Sequence, residues 1–128
     1  MPRVLLSLLL LAAPAVEAKP LFRAGAYAID VTPEKLPVHV LGMFTDRMAD
    51  KITDRLYAKC LVLDDGKERL AIVVVDSCMM PRDLLDQAKE LAHEKTGIRT
   101  DHMMISATHT HSAPSAMGGL GTPPDDEY

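Results

Sequence analysis

Residues 56–75 read LYAKCLVLDDGKERLAIVVV, two apolar runs separated by a short polar segment. An Asp-Gly pair between apolar runs is the strongest short signal for a β-hairpin, because Gly tolerates the positive φ angles that tight hairpin turns need. With Asp65-Gly66 as a two-residue loop, Asp64 is predicted to pair with Lys67. In that register Cys60 lies opposite Ala71.

Both faces of this predicted hairpin are largely apolar, since successive side chains of a strand alternate between faces. One face would carry Tyr57, Lys59, Leu61, Leu70, Ile72 and Val74. The other would carry Ala58, Cys60, Val62, Ala71, Val73 and Val75. A sheet with two apolar faces needs cover on each side, so we expect a layered α/β (or α+β) architecture.

The stretch 81–95 is predicted to be a helix. Its apolar residues recur at helical spacing on one stripe, Pro81 suits the first turn, and Gly97 is placed to end the helix. Residues 103–107 then form a compact apolar run that is typical of a buried strand. A strand, a helix and a strand in this order form a right-handed βαβ crossover, which sets 103–107 parallel to 70–75 in a mixed sheet.

The flanking segments are less regular. Residues 26–31 alternate weakly and are predicted to form a short strand that stops at Thr32-Pro33. Residues 34–54 show no clear pattern. Residues 112–128 form a Gly/Pro-rich segment with the composition of an active-site loop, and we expect a chain that stops inside such a loop to be an incomplete domain.

The carboxyl ends of the two parallel strands open on the same edge of the sheet, where ligand and catalytic sites of open α/β sheets gather. His109 and His111 follow the second of these strands, and in an extended backbone both rings would point to one side. Neutral imidazole is a good zinc ligand, and a catalytic zinc ion typically has three protein ligands and one open position. The pair can supply one or two of these ligands, or it can be two solvated loop histidines.

Several other kinds of site are excluded by the residues present. A binuclear His-x-His-x-Asp-His pattern would need Asp and His where Ala113 and Pro114 stand, and no His-Glu-x-x-His helix follows His93. Ser112 is adjacent to His111, but neighbouring side chains of an extended segment point to opposite faces. Its hydroxyl is therefore expected to make local hydrogen bonds rather than to act as a nucleophile.

Asp76 follows the first parallel strand and admits two interpretations. It can orient a ligating histidine through the second ring nitrogen of that histidine. It can also be a turn or helix-capping residue ahead of Pro81, which is the simpler interpretation. The remaining histidines have no partners in sequence and are expected to be surface or packing residues: His39, His93 and His102.

The two cysteines, Cys60 and Cys78, could pair in an oxidising compartment. The predicted hairpin places Cys78 seven residues beyond Ala71, the partner of Cys60. In an extended chain that separation far exceeds the Cα distance of about 7 Å that a disulfide allows. We therefore predict two unpaired thiols.

Composition and charge exclude some classes of partner. The 128 residues carry 14 Lys and Arg against 18 Asp and Glu, for a net charge of −4. Such a chain lacks the basic surface that neutralises phosphates, so we expect no nucleic-acid partner. A hydrophobic share of 48% with 25% charged residues is typical of a globular protein rather than of a disordered tail.

Residues 1–18 are predicted to be a cleaved export signal. Arg3 supplies a positive start, Val4 to Ala13 is a short apolar run, and small residues lead up to Ala18. The apolar run is shorter than the roughly 20 residues of a membrane-spanning helix. We therefore expect a secreted or periplasmic protein that begins at Lys19 and has no transmembrane segment.

Four segments of the chain resemble one known family. They are AGAYAIDVTP at 24–33, DRLYA at 54–58, IVVVDSCM at 72–79 and MISATHTHSAP at 104–114. Together they resemble the N-terminal catalytic domain of the neutral (alkaline, non-lysosomal) ceramidases over roughly residues 24–121. The Thr-His-Thr-His-Ser run is the most specific part of this resemblance.

The resemblance implies a secreted or periplasmic zinc amidase that hydrolyses the amide bond of N-acyl sphingoid lipids. It implies that His109 is a zinc ligand and that His111 is a catalytic residue close to the metal and the substrate. The loop after them reads Ser-Ala-Pro-Ser at 112–115, where the family usually has Ser-Gly-Pro-Gly, and this leaves the substrate specificity open. In the family, the other zinc ligands lie further along the chain than residue 128.

Two functions follow from this resemblance. Residues 19–128 can be the incomplete N-terminal part of a ceramidase-like, Zn²⁺-dependent hydrolase of ceramide-like lipid amides. Alternatively, they can be a small exported binding or interaction module that keeps the same fold without catalysis.

Overall fold

The computed structural model describes residues 21–128, so the predicted export signal at 1–18 lies outside the described residues. The strands are β1 (Arg23–Asp30), β2 (Val38–His39), β3 (Met48–Ala49), β4 (Tyr57–Asp64), β5 (Arg69–Val75) and β6 (Met103–Ala107). One α-helix, α1 (Arg82–Thr96), lies between β5 and β6. The main sheet has the strand order β1-β4-β5-β6, and β2 pairs with β3 in a second, small sheet. The predicted mixed architecture of sheet and helix is confirmed.

The hairpin of β4 and β5 exists, but the predicted register is wrong by two residues. Asp64 pairs with Arg69 rather than with Lys67, and Cys60 lies opposite Val73. The cause is the Asp65 carboxylate, which accepts the backbone N–H groups of Lys67 and Glu68 at 2.9 and 2.8 Å and so closes a longer loop. Because the shift is an even number of residues, each side chain remains on its predicted face.

Helix α1 begins and ends where its signals predicted. Pro81 is the N-cap residue, and Gly97 is the C-cap with a φ of 69°, a left-handed conformation that glycine adopts without strain. The Gly97 N–H donates to the His93 carbonyl at 2.8 Å, which satisfies one of the last carbonyls of the helix.

Strands β5 and β6 are parallel, as the βαβ interpretation requires. Val73 lies beside Ile105 and Val75 beside Ala107, so both strands end at the same edge of the sheet. The pairing extends one residue further, since the Thr108 N–H donates to the Val75 carbonyl at 2.9 Å. This places the residues that follow β5 and β6 next to one another.

Helix α1 covers one face of the main sheet. Its residue Ala92 packs with Val62, Ala71, Ile98 and Met103, which form the core cluster of that face. Apolar side chains on the opposite face are exposed, with Leu70 at 47% and Met104 at 54%. The predicted need for cover on both sides is therefore met on one side only within residues 21–128.

The Gly/Pro-rich segment after β6 contains no long helix or strand among the described residues, as predicted, but it is well packed. It pairs with the β2 region through a bridge between Val40 and Pro114, and the Ser115 N–H donates to the His39 carbonyl at 2.8 Å. Leu41, Ala113 and Ser115 are completely buried where the two segments meet. This contact brings residues 39–47 against the histidine pair.

Among residues 21–128, no helix combines the length and the apolar content needed to cross a bilayer.

Candidate active site

The turns that follow β5 and β6 build one site at the edge of the sheet. After β5, the Ser77 N–H donates to the Val75 carbonyl at 2.9 Å, and the Ser77 hydroxyl donates to the Met79 carbonyl at 3.0 Å. This turn buries Ser77 and Cys78, which are each 1% exposed. The Cys78 side chain and carbonyl lie next to the loop that carries the histidines.

His109 is held by a backbone conformation that the sequence prediction did not include. Its φ is 62°, so the chain is not extended there; His is one of the few residue types enriched in this left-handed region. Nδ1 of His109 lies 2.9 Å from the Cys78 carbonyl oxygen. Because a carbonyl only accepts, Nδ1 carries the proton and Nε2 keeps a free lone pair.

The two imidazoles nevertheless come together as predicted. The ring centroids of His109 and His111 are 5.1 Å apart, and the rings meet edge to face at 79°. Both side chains are exposed to solvent. The rings lie on one side as predicted, but the predicted extended backbone is wrong. The left-handed conformation of His109 brings the two rings together instead.

His111 is positioned by two residues from the segment between β2 and β3. A Cβ atom at Gly42 would lie 2.5 Å from Cγ of His111, so the ring packs directly on the glycine backbone. The Arg47 guanidinium donates to the His111 carbonyl oxygen at 2.7 Å. Sequence reasoning missed both residues, because residues 34–54 carry no regular pattern; Gly42 within an apolar run was the one signal present.

Cys78, His109 and His111 together form a group that can hold a metal ion. One donor atom from each residue lies within 4.8 Å of the other two. Imidazole nitrogen and cysteine sulfur are the ligands that zinc prefers, so the chemistry of this group fits a zinc ion. In the metal-free protein, burial raises the pKa of the Cys78 thiol.

The described part of the chain matches one protein family over most of its length. Residues 22–120 match the model of the family described as neutral/alkaline non-lysosomal ceramidase, N-terminal. The chain belongs to the neutral ceramidase family. The match includes both histidines and Cys78.

Two curated relatives carry the same name. The neutral ceramidase of Drosophila pseudoobscura pseudoobscura is 29% identical over 97 residues, and that of Drosophila melanogaster is 28% identical over 97 residues. Each alignment covers 73% of this chain and 14% of the relative. The chain therefore spans about one seventh of the length of these ceramidases.

Two solved structures of ceramidases share the fold. The neutral ceramidase from Pseudomonas aeruginosa has a TM-score of 0.68 with 26% sequence identity, and covers 77% of this chain and 16% of its own. A ceramidase complexed with C2 has a TM-score of 0.66 with 26% identity, over 73% of this chain and 15% of its own. The layered arrangement of sheet and helix is thus that of the family's N-terminal region.

Asp76 makes its contacts away from both histidines of the candidate site. Its Oδ2 accepts the backbone N–H of Tyr57 at 3.0 Å and lies 3.5 Å from Nζ of Lys59. It therefore ties the start of β4 to the end of β5. Of the two interpretations of Asp76, these contacts fit the structural one, and the contact that orients His109 is made by the Cys78 carbonyl.

The other candidates have structural contacts of their own. Nδ1 of His39 lies 2.8 Å from Asp46, Nδ1 of His93 donates to the Ile98 carbonyl at 2.8 Å, and Nδ1 of His102 contacts the Arg69 carbonyl at 3.2 Å. These contacts confirm surface or packing roles for the three histidines. Ser112 is exposed and its backbone N–H donates to the Thr110 hydroxyl at 3.3 Å. Both cysteines are free, as predicted.

A cavity of about 660 Å³ adjoins the loop that carries the two histidines, although neither imidazole lines it. Thr110 and Ser112, the two neighbours of His111, line one side of it. Its other walls include the apolar side chains Leu36, Val38, Val40, Met48 and Ile52. The cavity therefore offers apolar surface next to residues that are adjacent in sequence to His111, the candidate catalytic residue.

Proposed function

We propose that this chain forms the N-terminal part of a ceramidase-like amide hydrolase that acts on N-acyl sphingoid lipids and uses a zinc ion. The observation that carries the proposal is the His109 ring at the carboxyl edge of a parallel sheet, held by a carbonyl on one nitrogen and next to a second imidazole. Family membership over residues 22–120 supports the substrate class.

His109 would bind the zinc ion in this proposal. Metal-ligating histidines usually donate their second ring N–H to a carbonyl or a carboxylate, which fixes the orientation of the ring. The bond from Nδ1 to the Cys78 carbonyl has this form and leaves Nε2 for the ion. When bound, zinc lowers the pKa of a coordinated water or polarises the amide carbonyl.

His111 would act next to the metal and the substrate. Its ring is 5.1 Å from that of His109 and exposed, so a substrate amide can reach it from solvent. A neutral imidazole can accept a proton from the attacking water and return one to the leaving amine. Gly42 and Arg47 hold the ring and backbone of His111 in place for this transfer.

The cavity beside His111 would take part of the lipid. A ceramide-like molecule has long alkyl chains attached to a polar amide, and the cavity combines apolar side chains with the hydroxyls of Thr110 and Ser112. This would place alkyl carbons against the apolar wall and the amide near the histidines.

This chain aligns with about one seventh of the length of its relatives. We propose that hydrolysis needs zinc ligands from the remainder of such a full-length protein. A catalytic zinc ion typically has three protein ligands. Purified residues 19–128 should therefore release no fatty acid from a fluorescent short-chain ceramide in the presence of Zn²⁺. Robust turnover by this chain would show that the incompleteness proposal is wrong.

A graft tests the hydrolase proposal. Residues 22–120 replace the matched segment of the Pseudomonas aeruginosa neutral ceramidase, and ceramide hydrolysis is measured in the graft, in the graft with His109→Ala and in the graft with His102→Ala. We expect turnover in the first and third proteins and none in the second. A folded graft that binds zinc and ceramide without hydrolysis would instead support the non-catalytic module.

We also propose that the protein is exported with cleavage after Ala18. Expression of all 128 residues in a bacterial host, followed by fractionation and N-terminal sequencing, tests this. A mature product that begins at Lys19 outside the cytoplasm is expected, and an intact cytoplasmic product beginning at Met1 or Pro2 would contradict it.

A further inference from the structure

The segment that holds His111 has a side-chain hydrogen bond across its base. Nδ1 of His39 lies 2.8 Å from Oδ1 of Asp46. Because an ionised carboxylate only accepts, Nδ1 carries the proton and donates it to Asp46. The two side chains are 27% and 45% exposed, so the bond is partly shielded from water. It joins the end of β2 to the residues just before β3.

We propose that His39 and Asp46 are positioning residues for His111. Their hydrogen bond fixes the path of the 39–47 segment, and with it the contacts that this segment makes with His111. The inference rests on the proposed catalytic role of His111. It adds two side chains that act on the catalytic group through the backbone of a loop and without touching the ring.

Both contacts that hold His111 come from the 39–47 segment. The Gly42 backbone lies against the ring, and the Arg47 guanidinium donates to the His111 carbonyl at 2.7 Å. Asp46 directly precedes Arg47, so a displacement of Asp46 also displaces the guanidinium. The position of His111 therefore depends on how the two ends of this segment are held.

The His39 end of the segment is fixed by its backbone. The His39 N–H donates to Oδ2 of Asp125 at 2.9 Å, and the Ser115 N–H donates to the His39 carbonyl at 2.8 Å. These bonds involve only main-chain atoms of His39, so substitution of its side chain leaves them in place. His39 is thus a fixed point from which the imidazole reaches the other end of the segment.

The Asp46 end of the segment has a short ladder and little packing. Strands β2 and β3 pair over two residues each, and one further backbone bond runs from the Val40 N–H to the Arg47 carbonyl at 2.8 Å. Residues 43–48 are exposed, so few packing contacts restrain them. The bond from His39 to Asp46 therefore adds a restraint where the backbone provides few.

Loss of this bond should move the segment without unfolding the protein. A partly exposed pair of this kind contributes little to global stability. A catalytic group, in contrast, loses rate steeply when its position changes. The pair should therefore matter more for the position of His111 than for the melting temperature, and a purely structural contact would not give this combination.

Nuclear magnetic resonance of the 128-residue chain measures the position of the His111 ring directly. The wild type should show a strong nuclear Overhauser effect between the α-protons of Gly42 and Hδ2 of His111, because the ring lies on the Gly42 backbone. This signal should be lost or strongly weakened in Asp46→Ala and in His39→Ala. It should persist in Asp46→Asn, which keeps an oxygen acceptor for Nδ1, and in Thr45→Ala, the matched control in the same exposed stretch.

Ceramide hydrolysis by the graft of residues 22–120 measures the consequence for catalysis. Asp46→Ala and His39→Ala should each lower kcat roughly threefold to tenfold, the size expected for one hydrogen bond. The double variant should lose no more than either single variant, because both substitutions remove the same bond. Asp46→Asn should restore most of the rate, and Thr45→Ala should leave it unchanged.

The outcomes separate this inference from the proposed function. An unchanged signal between Gly42 and His111 in Asp46→Ala, with a lower melting temperature, would show a purely structural pair and overturn the inference. If Asp46→Ala does not fold, His39→Ala removes the same bond from the other side and decides in its place. An inactive wild-type graft would count against the proposed catalytic role of His111, whereas the resonance signal would still decide whether the pair positions the ring.

Discussion

The backbone of Gly42 is the surface on which the His111 ring packs. A Cβ atom at position 42 would lie 2.5 Å from Cγ of His111, closer than any real contact of this kind, and the φ of Gly42 is +116°. Both facts require glycine, because a Cβ atom would clash with the His111 ring and because other residues are sterically strained at this φ angle. A residue from an irregular loop thus sets the position of the candidate catalytic histidine.

Gly42→Ala should displace His111 and destabilise the protein. The strained backbone angle alone costs about 1–3 kcal/mol in free energy of unfolding, and the added methyl group pushes the imidazole out of the cluster. We expect a lower melting temperature of the chain and slower ceramide hydrolysis by the graft that carries this substitution. Gly25→Ala is the control, because nothing lies within 4 Å of a Cβ at position 25; equal effects of the two substitutions would contradict this account.

His109→Ala should remove the metal site without unfolding the chain. The side chain is exposed and its main contact is one hydrogen bond to the Cys78 carbonyl, so few packing contacts are lost. The affinity for Zn²⁺, measured by competition with a chelator, should fall by roughly 10- to 100-fold or more. His102→Ala should leave the affinity unchanged, and loss of zinc in both variants would point to a general effect on the fold.

Asp76→Ala should lower stability, whereas Asp76→Asn should be much milder. The carboxylate accepts the Tyr57 N–H at 3.0 Å in a partly buried place, and loss of the acceptor leaves that donor unpaired at a cost of about 1–3 kcal/mol. Asn keeps an oxygen acceptor. Urea unfolding measures the difference, and zinc affinity should be normal in Asp76→Asn; a large loss of zinc affinity there would favour the ligand-orienting interpretation.

The hairpin loop should respond to acid through Asp65. Hydrogen bonds from the N–H groups of Glu68 and Lys67 to its carboxylate hold the pKa of Asp65 below its ordinary value of 3.8. A lowered folded-state pKa means that the ionised group stabilises the fold above the unfolded-state pKa, and that this contribution disappears as the pH falls through the lower folded-state pKa.

Asp65→Ala should therefore be less stable than the wild type at neutral pH, and the two should converge in acid once the pH has fallen through the lowered folded-state pKa of Asp65. Thermal unfolding across this pH range measures the gap. Asp126→Ala, which removes an exposed carboxylate outside the hairpin, is the control. A gap that persists unchanged into strong acid would show that the carboxylate charge is not what closes the loop.

The elements that could be predicted are those set by local patterns. The two apolar runs on either side of Asp65-Gly66 predicted β4 and β5, the helical stripe between Pro81 and Gly97 predicted α1, and the order of elements predicted the parallel pairing of β6. The register of the hairpin could not be obtained in the same way. Asp65-Gly66 suits a two-residue loop and also a longer one, and the hydrogen bonds that the Asp65 carboxylate accepts from the N–H groups of Lys67 and Glu68 decided between them.

The residues of the candidate site also fall into two groups, those that a local motif predicts and those that it does not. His109 and His111 were found because they share one short motif at the end of one strand. Gly42 and Arg47 were not found, since Arg47 is 64 positions from His111 in the chain and no local pattern connects them. Cys78 was recognised as a free thiol but not as a member of the site, because its sulfur meets His109 across 31 positions.

The sequence by itself determined the strands of the main sheet, the helix, the edge of the sheet where the candidate site lies and the family, because periodicity, capping residues and short motifs act over neighbouring residues. Only the tertiary structure decided which side chains surround the two imidazoles. That decision depends on the close approach of the 39–47 segment, the turn after β5 and the left-handed backbone of His109, and such contacts are set by packing between distant parts of the chain.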